Sequence, residues 1–141
     1  MKVLIPCAGT GSRLGDLTAH YNKALIAIGK RPVISHIIDM YPTGSEFVIA
    51  LGYKGDYIRQ YLQLAYPRTK IAFVDVDLFE GNGSGLGYTL KKCKSHLDQE
   101  FVFHANDSII IDRSLQFPMK HDTMFLASGK VDPKKYRTIS Y

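Results

Sequence analysis

The chain has 141 residues, 45% of them hydrophobic and 22% charged, which suits one domain with a real core and excludes two large ones. No apolar run approaches the ~20 residues that span a bilayer. The net charge of +5 suits an anionic partner, and its lysines and arginines are scattered, with no basic arm or nucleic-acid motif. Charge alone leaves a small phosphorylated ligand and a nucleic acid equally open; it is the motifs below that favour the small ligand, with no nucleic acid or membrane as partner. At the N-terminus, Val3-Leu4-Ile5 is stopped by Pro6-Cys7-Ala8-Gly9 before a signal-peptide core can form, and a cytoplasmic protein is expected. Cys7 and Cys93 have neither metal nor disulfide-framework spacing and read as small buried hydrophobes rather than a catalytic thiol.

Residues 2–6, apolar from Val3 onward, read as a first strand too continuous in its apolar content to be half exposed. The stretch 9–30 is rich in glycine and polar residues and reads as a long functional loop. Pro32 is expected to occupy the first helical position, where its missing N–H costs nothing. The helix then shows Val33, Ile34, Ile37, Ile38 and Tyr41 on one face and stops at Pro42-Thr43-Gly44. A second strand follows at 46–51. Gly52-Tyr53-Lys54-Gly55 turns into a helix whose apolar face is read as Tyr57, Ile58, Tyr61, Leu62 and Ala65. Residues 70–74 are a third strand, glycines crowd 81–87, and Leu86, Leu90, Cys93 and Leu97 give a third helical stripe. A fourth strand at 101–105 ends on Asn106-Asp107, and 123–127 and 136–139 are further strand candidates.

Alternating strands and helices point to an α/β, Rossmann-like three-layer domain with a mostly parallel sheet and helices on both faces. Ligands bind such sheets at the carboxyl ends of the strands. Three unusual segments stand at those ends: Gly9 to Arg13, Gly81 to Gly87, and Asn106-Asp107.

Within the first segment, Ala8-Gly9-Thr10-Gly11-Ser12-Arg13 has the makings of a phosphate cradle. Its glycines let backbone N–H groups approach an anion, and Arg13 adds a fork of donors. Alone it reads equally as a glycine turn with a surface arginine. Leu14 replaces the third glycine of a dinucleotide fingerprint, and no Gly-Lys-Ser/Thr ending of a P-loop follows, which disfavours both of those classes.

The continuation carries more. The run from Leu4 to Leu14, then Asn22-Lys23-Ala24-Leu25, then Gly29-Lys30-Arg31-Pro32-Val33 resembles the signature of the sugar-phosphate nucleotidylyltransferases. That signature is a strand, an A-G-x-G-x-R loop, a Pro-Lys before an apolar residue, and a G-x-x-P/L helix start; here Asn22 replaces the Pro. Val48-Ile49-Ala50-Leu51-Gly52-Tyr53-Lys54, Gly85-Leu86-Gly87 and Asn106-Asp107 extend the resemblance in the right order.

The resemblance implies that the phosphate oxygen of a phosphorylated substrate attacks the α-phosphorus of a nucleoside triphosphate and pyrophosphate leaves. Sugar 1-phosphate is its default acceptor. It implies a nucleotide held by Ala8, Gly9, Thr10, Gly11, Ser12 and Arg13, with Arg13 on the β,γ-phosphates and Lys23 neutralising charge near the α-phosphate. Asp107 would hold Mg²⁺, a hard cation suited to a carboxylate and phosphate oxygens. Glu80 and Gly85 would lie by the base. A carboxylate there suits the amino donor of cytosine or the paired donors of guanine, hence CTP or GTP, with an ordinary loop acid as the competing reading.

Two other readings compete with this one. Asp75-Val76-Asp77 has the D-x-D form of a metal-dependent glycosyltransferase, although two acids flanking a buried Val is the simpler account. A catalytically silent nucleotide-binding or scaffolding domain is the other. His20, His36, His96, His104 and His121 show no zinc spacing; His104 reads as a packed strand residue or as lining the site. The resemblance further implies a longer domain with a second metal-binding acid and an acceptor pocket. Residues 1–141 are accordingly expected to be the N-terminal nucleotide-binding part. Alone it should bind nucleotide, turn over poorly, and form homo-oligomers through apolar surface left uncovered.

Overall fold

In the computed structural model residues 1–110 are described; the strand candidates at 123–127 and 136–139, and His121, lie outside the described residues. Strand β1 (Lys2–Cys7) has Val3, Leu4 and Ile5 at 0% exposure, as expected of a parallel strand covered on both faces. After it the chain forms 3₁₀ segments at Ser12–Thr18 and Lys23–Leu25 and a small antiparallel hairpin of β2 (Ala27–Ile28) and β3 (Arg31–Pro32). The expected long loop is therefore interrupted by short ordered turns.

Helix α1 (Val33–Ile38) follows. Pro32 is its N-cap, extended at φ −61° and ψ 150°, one position earlier than expected. The ring's fixed φ satisfies the hairpin strand as well as it would a first helical turn. The apolar face is otherwise as read, with Val33, Ile34, Ile37, Ile38 and Tyr41 all buried.

Strand β4 (Glu46–Leu51) and helix α2 (Gly55–Ala65) come next. Here the expected face is corrected. Gly55, Ile58 and Leu62 are buried, whereas Tyr57 is 53% exposed and Ala65 is exposed. The spacing i, i+3, i+7 makes a narrow stripe, and its first member is a glycine that the apolar pattern could not reveal. An added Cβ at Gly55 would meet Leu51 Cβ at 2.8 Å, so helix and strand touch backbone to side chain at that point.

Strand β5 (Lys70–Asp75), helix α3 (Leu86–Cys93) and strand β6 (Phe101–Phe103) complete the described elements. Leu97 lies past α3, beyond a 3₁₀ turn, yet still packs on the core. The sheet runs β5-β4-β1-β6 with every pairing parallel. Alternate residues face opposite layers: Val3, Ile5, Cys7, Phe47, Ile49 and Leu51 meet α1 and α2, and Leu4, Val48 and Ala50 meet the α3 side.

Register aligns Cys7 with Leu51 and Leu51 with Asp75, so three strands finish at one level. The segments singled out in the sequence leave from this carboxyl edge, and the order along it is fixed. Glu80 and Gly85 follow β5, the Gly52 turn follows β4, Gly9 to Arg13 follow β1, and Asp107 follows β6.

Candidate nucleotide and metal site

The glycine loop folds onto itself. Gly11 is left-handed at φ 70°, and an added Cβ would meet Thr18 Cγ2 at 3.0 Å and Lys23 Cβ at 3.4 Å, so only glycine suits the position. The Thr18 hydroxyl donates to the Gly11 carbonyl at 3.3 Å or the Gly15 carbonyl at 3.1 Å. Leu14 N–H donates to the Gly11 carbonyl at 2.9 Å. Ala8 is buried at the loop's root, while Gly9, Ser12 and Arg13 are exposed.

A second set of bonds straps this loop to the turn after β4. Tyr53 N–H donates to the Ala8 carbonyl at 2.9 Å. The Tyr53 hydroxyl donates to the Thr18 carbonyl at 3.1 Å, and Lys54 Nζ to the Ala19 carbonyl. Gly52 permits the approach: an added Cβ there would lie 2.6 Å from Ala8 O and 2.9 Å from Phe79 Cβ. Lys54 takes φ 51°, an uncommon conformation for a residue with a side chain.

Asn22 is the joint between these parts. It is 0% exposed, and its Nδ2 donates to the carbonyls of Cys7 at 2.9 Å and Tyr53 at 2.8 Å. Its Oδ1 accepts from Ala24 N–H at 3.0 Å, which caps the turn that carries Lys23. From there Lys23 Nζ reaches Asp107 Oδ2 at 3.0 Å, with side-chain exposures of 20% and 53%. Partial burial pushes the Asp107 carboxyl up, but the hydrogen bond and charge of Lys23, with the charge of Arg13 behind them, carry it below its ordinary value. The carboxylate at the end of β6 thus feels both cations named from the sequence.

Asn106 is buried at 4% exposure behind Asp107, its Nδ2 without a hydrogen-bond partner among the described residues, and burial pushes the neighbouring Cys7 thiol up to about 12. Cys7 is therefore an inert buried hydrophobe, as read. His104 is also a packed residue: Nδ1 lies 2.6 Å from the Tyr41 hydroxyl and Nε2 2.8 Å from the Ser108 carbonyl. A carbonyl only accepts, so Nε2 carries the proton and Tyr41 donates to Nδ1.

Burial holds His104 below the ordinary histidine value of 6.5, against opposing contributions from Ser108 and Asp107. Because the folded value is depressed, this histidine's contribution to stability is complete above the unfolded pKa and is lost as pH falls through the folded one. The melting temperature is expected to drop as pH goes below 6.5, and His104→Gln to flatten that limb in circular-dichroism melts. An unchanged slope in the variant would locate the acid sensitivity elsewhere.

Glu80 is exposed on the loop beyond β5. Gly85, at φ 141° and ψ −179°, caps the start of α3. Phe79 pins the base of this loop, its ring centroid 6.4 Å from that of Tyr53.

The two acids of the D-x-D segment are tied to different helices. Asp75 Oδ1 pairs with Arg59 of α2 at 2.6 Å. Asp77 Oδ1 pairs with Lys92 of α3 at 2.9 Å and accepts from the Tyr88 hydroxyl at 2.8 Å. Those two hydrogen bonds, Lys92 first, lower the Asp77 carboxyl to about 2. Among the described residues no group of three or more His, Cys, Asp or Glu could hold a metal. Asp107, a single half-exposed carboxylate, does not suit an all-protein cage. It suits Mg²⁺, which keeps waters and draws other ligands from substrate phosphates.

Sequence reasoning missed Asn22, Tyr53 and Lys54 as parts of the site. For Asn22 a signal existed, since an asparagine directly before a turn is a favoured cap. No helix among the described residues is long and apolar enough to cross a membrane.

No family model matches the chain. It is similar to a probable glucose-1-phosphate cytidylyltransferase of Bacillus subtilis, 40% identical over 63 residues that cover 43% of this chain and 25% of that protein. The glucose-1-phosphate cytidylyltransferase of Salmonella typhimurium is 25% identical over 161 aligned positions, covering 96% of this chain and 63% of that protein. Among solved structures, the CTP:phosphocholine cytidylyltransferase of Streptococcus pneumoniae superposes with a TM-score of 0.67 at 25% identity, over 82% of this chain and 48% of that one. The chain therefore spans between 25% and 63% of the length of these relatives.

Proposed function

We propose, from the premise that this chain belongs to the sugar-phosphate nucleotidylyltransferases, that it supplies the nucleotide-binding part of an enzyme moving a nucleoside monophosphate from an NTP onto a phosphorylated small molecule. Sugar 1-phosphate is the proposed acceptor class. The observation that carries this reading is the meeting of Lys23 and the charge of Arg13 on Asp107, beside a glycine loop at the carboxyl edge of a parallel sheet.

An oxygen of the acceptor phosphate attacks the α-phosphorus, and the bond from that phosphorus to the β-phosphate bridging oxygen breaks, releasing pyrophosphate. The attacking monoester is already anionic, so no side chain must remove a proton, and catalysis reduces to positioning and charge neutralisation. Backbone N–H groups of Ala8 to Ser12 cradle the triphosphate, and Arg13 neutralises the departing β,γ-phosphates. Lys23 neutralises the α-phosphate and the incoming oxygen. Asp107 would hold Mg²⁺, which would offset charge on the phosphate oxygens.

For the base, CTP is the proposed substrate, with GTP next. Glu80 offers an acceptor to the exocyclic amine of cytosine, whereas uracil and thymine present an acceptor in its place. The similar Bacillus, Salmonella and pneumococcal proteins are all cytidylyltransferases, which supports the same choice, although a similar Haloferax volcanii protein is a uridylyltransferase. The D-x-D glycosyltransferase reading is not favoured, because Asp75 and Asp77 are held by separate helices.

A thermal-shift panel of ATP, CTP, GTP, UTP and dTTP with Mg²⁺, followed by pyrophosphate release with glucose 1-phosphate, tests the proposal. CTP is expected to give the largest stabilisation, about 3 kcal/mol at a hundredfold excess over Kd. Preferential stabilisation by UTP or dTTP would sink the base assignment. No shift with any nucleotide would sink the function.

A further inference from the structure

We infer that Lys23 is an interlock on the metal site: its ammonium and a divalent cation compete for one carboxylate, Asp107, and the triphosphate releases the carboxylate to the metal by drawing Lys23 onto its own oxygens. This rests on the proposed function and adds to it an order of events, in which metal and nucleotide enter together.

The geometry first sets Lys23 apart from an ordinary surface lysine. Exposed ion pairs between long side chains contribute little, because ordering the chains offsets the attraction. Lys23 is only 20% exposed as a side chain, and its backbone is fixed one residue after the fully buried Asn22. That residue hydrogen bonds the ends of two sheet strands' connections, through Cys7 and Tyr53, and the turn itself, through Ala24. With its root fixed and its side chain mostly covered, the ammonium contacts Asp107 Oδ2 at 3.0 Å. Asp107 is 53% exposed as a side chain, so a cation can approach it, but only against an ammonium already in contact and the nearby charge of Arg13.

A bare divalent ion must therefore displace Lys23 and stand beside two positive charges with one carboxylate in return. A triphosphate changes this balance. It offers anionic oxygens to both Arg13 and Lys23, frees Asp107 Oδ2, and carries its own bound metal to that oxygen. Because the coupling is a free energy between two sites, it is reciprocal: nucleotide must raise metal affinity by the factor by which metal raises nucleotide affinity.

The test uses the full chain and Mn²⁺ as the metal probe, with free Mn²⁺ counted by electron paramagnetic resonance. Titrations of the wild type, Lys23→Met, Lys23→Gln and Asp107→Asn are run with and without the α,β-methylene analogue of CTP, after circular dichroism has shown that each variant is folded. Without the analogue, both Lys23 variants are expected to bind Mn²⁺ roughly tenfold more tightly than the wild type, within the usual range of coupling. After subtraction of the Mn²⁺ that the analogue binds in protein-free solution, the analogue should tighten Mn²⁺ binding in the wild type and do so less in the Lys23 variants. Asp107→Asn should bind least.

Equal Mn²⁺ affinity in wild type and both Lys23 variants, with Asp107→Asn still weakened, overturns the interlock and leaves the proposed function standing. Undiminished Mn²⁺ binding by Asp107→Asn overturns the interlock by removing its carboxylate from the metal. Failure of wild type and Lys23 variants to bind either Mn²⁺ or the analogue, alone or together, overturns the interlock and the proposed function at once.

Discussion

Asp107→Asn is expected to lower pyrophosphate release from an NTP and a phosphorylated acceptor roughly a thousandfold, the size of effect that several kcal/mol of lost charge stabilisation produces. The amide keeps the shape of the side chain and can still approach Lys23, so the fold should survive and the loss should fall on the chemical step. Arg13→Ala is expected to act differently. It removes a cation from an exposed position on the glycine loop, and should cost about a hundredfold, divided between a raised KM for the nucleotide and a lowered kcat. Rates measured by a coupled pyrophosphate assay check both. The decisive control is Asp75→Asn, which should retain activity because Asp75 is committed to Arg59. Loss of activity there, with Asp107→Asn active, would move the metal to the D-x-D segment and reinstate the glycosyltransferase reading.

Asn22→Ala is expected to cost about 3 kcal/mol of stability, from a lost cap and carbonyls of Cys7 and Tyr53 left with fewer donors in a buried setting. For a domain of this size that corresponds to a fall of roughly 10 °C in Tm. Nucleotide affinity should fall as well, since the turn bearing Lys23 loses its attachment to the strand ends. Asn22→Asp keeps the cap acceptor but sets a buried charge against two carbonyl oxygens, and should be at least as damaging. Asn22→Pro is informative because the native φ of −69° fits a proline ring. It restores the backbone direction without the side-chain bonds, and is expected to melt between the wild type and Asn22→Ala. Calorimetric scans within about 1 °C of wild type for Asn22→Ala would show that the backbone alone holds the turn.

The parts of this molecule legible in the sequence are those set by local pattern. The apolar runs that follow Lys2 and Glu46 read as covered strands, and the structure places strands at Lys2–Cys7 and Glu46–Leu51. Glycine clusters after strands announced the carboxyl edge where Arg13, Lys23 and Asp107 are assembled. What stayed illegible depends on contacts between distant residues. Lys23 and Asp107 are 84 positions apart, and nothing local says that one will lie against the other. Tyr57 reads as apolar and core-facing, yet a glycine at 55 settles against Leu51 and sets the helix's contact line elsewhere. Asn22 looked like a small departure from a Pro-Lys pattern. Its three bonds depend on the Cys7 and Tyr53 carbonyls both being within reach, a consequence of strand register and not of neighbouring sequence.

The close approach at Gly52 has a practical bearing on redesign. A methyl group there would collide with the backbone oxygen of Ala8 at 2.6 Å, and that oxygen is held in turn by Tyr53 N–H, so neither side can yield. If the proposed base assignment holds, attempts to change which base is accepted should leave this wall untouched and sample the exposed positions around Glu80, the side chain proposed to meet the base. Libraries built that way would vary the loop beyond β5 while the glycine loop keeps its dimensions.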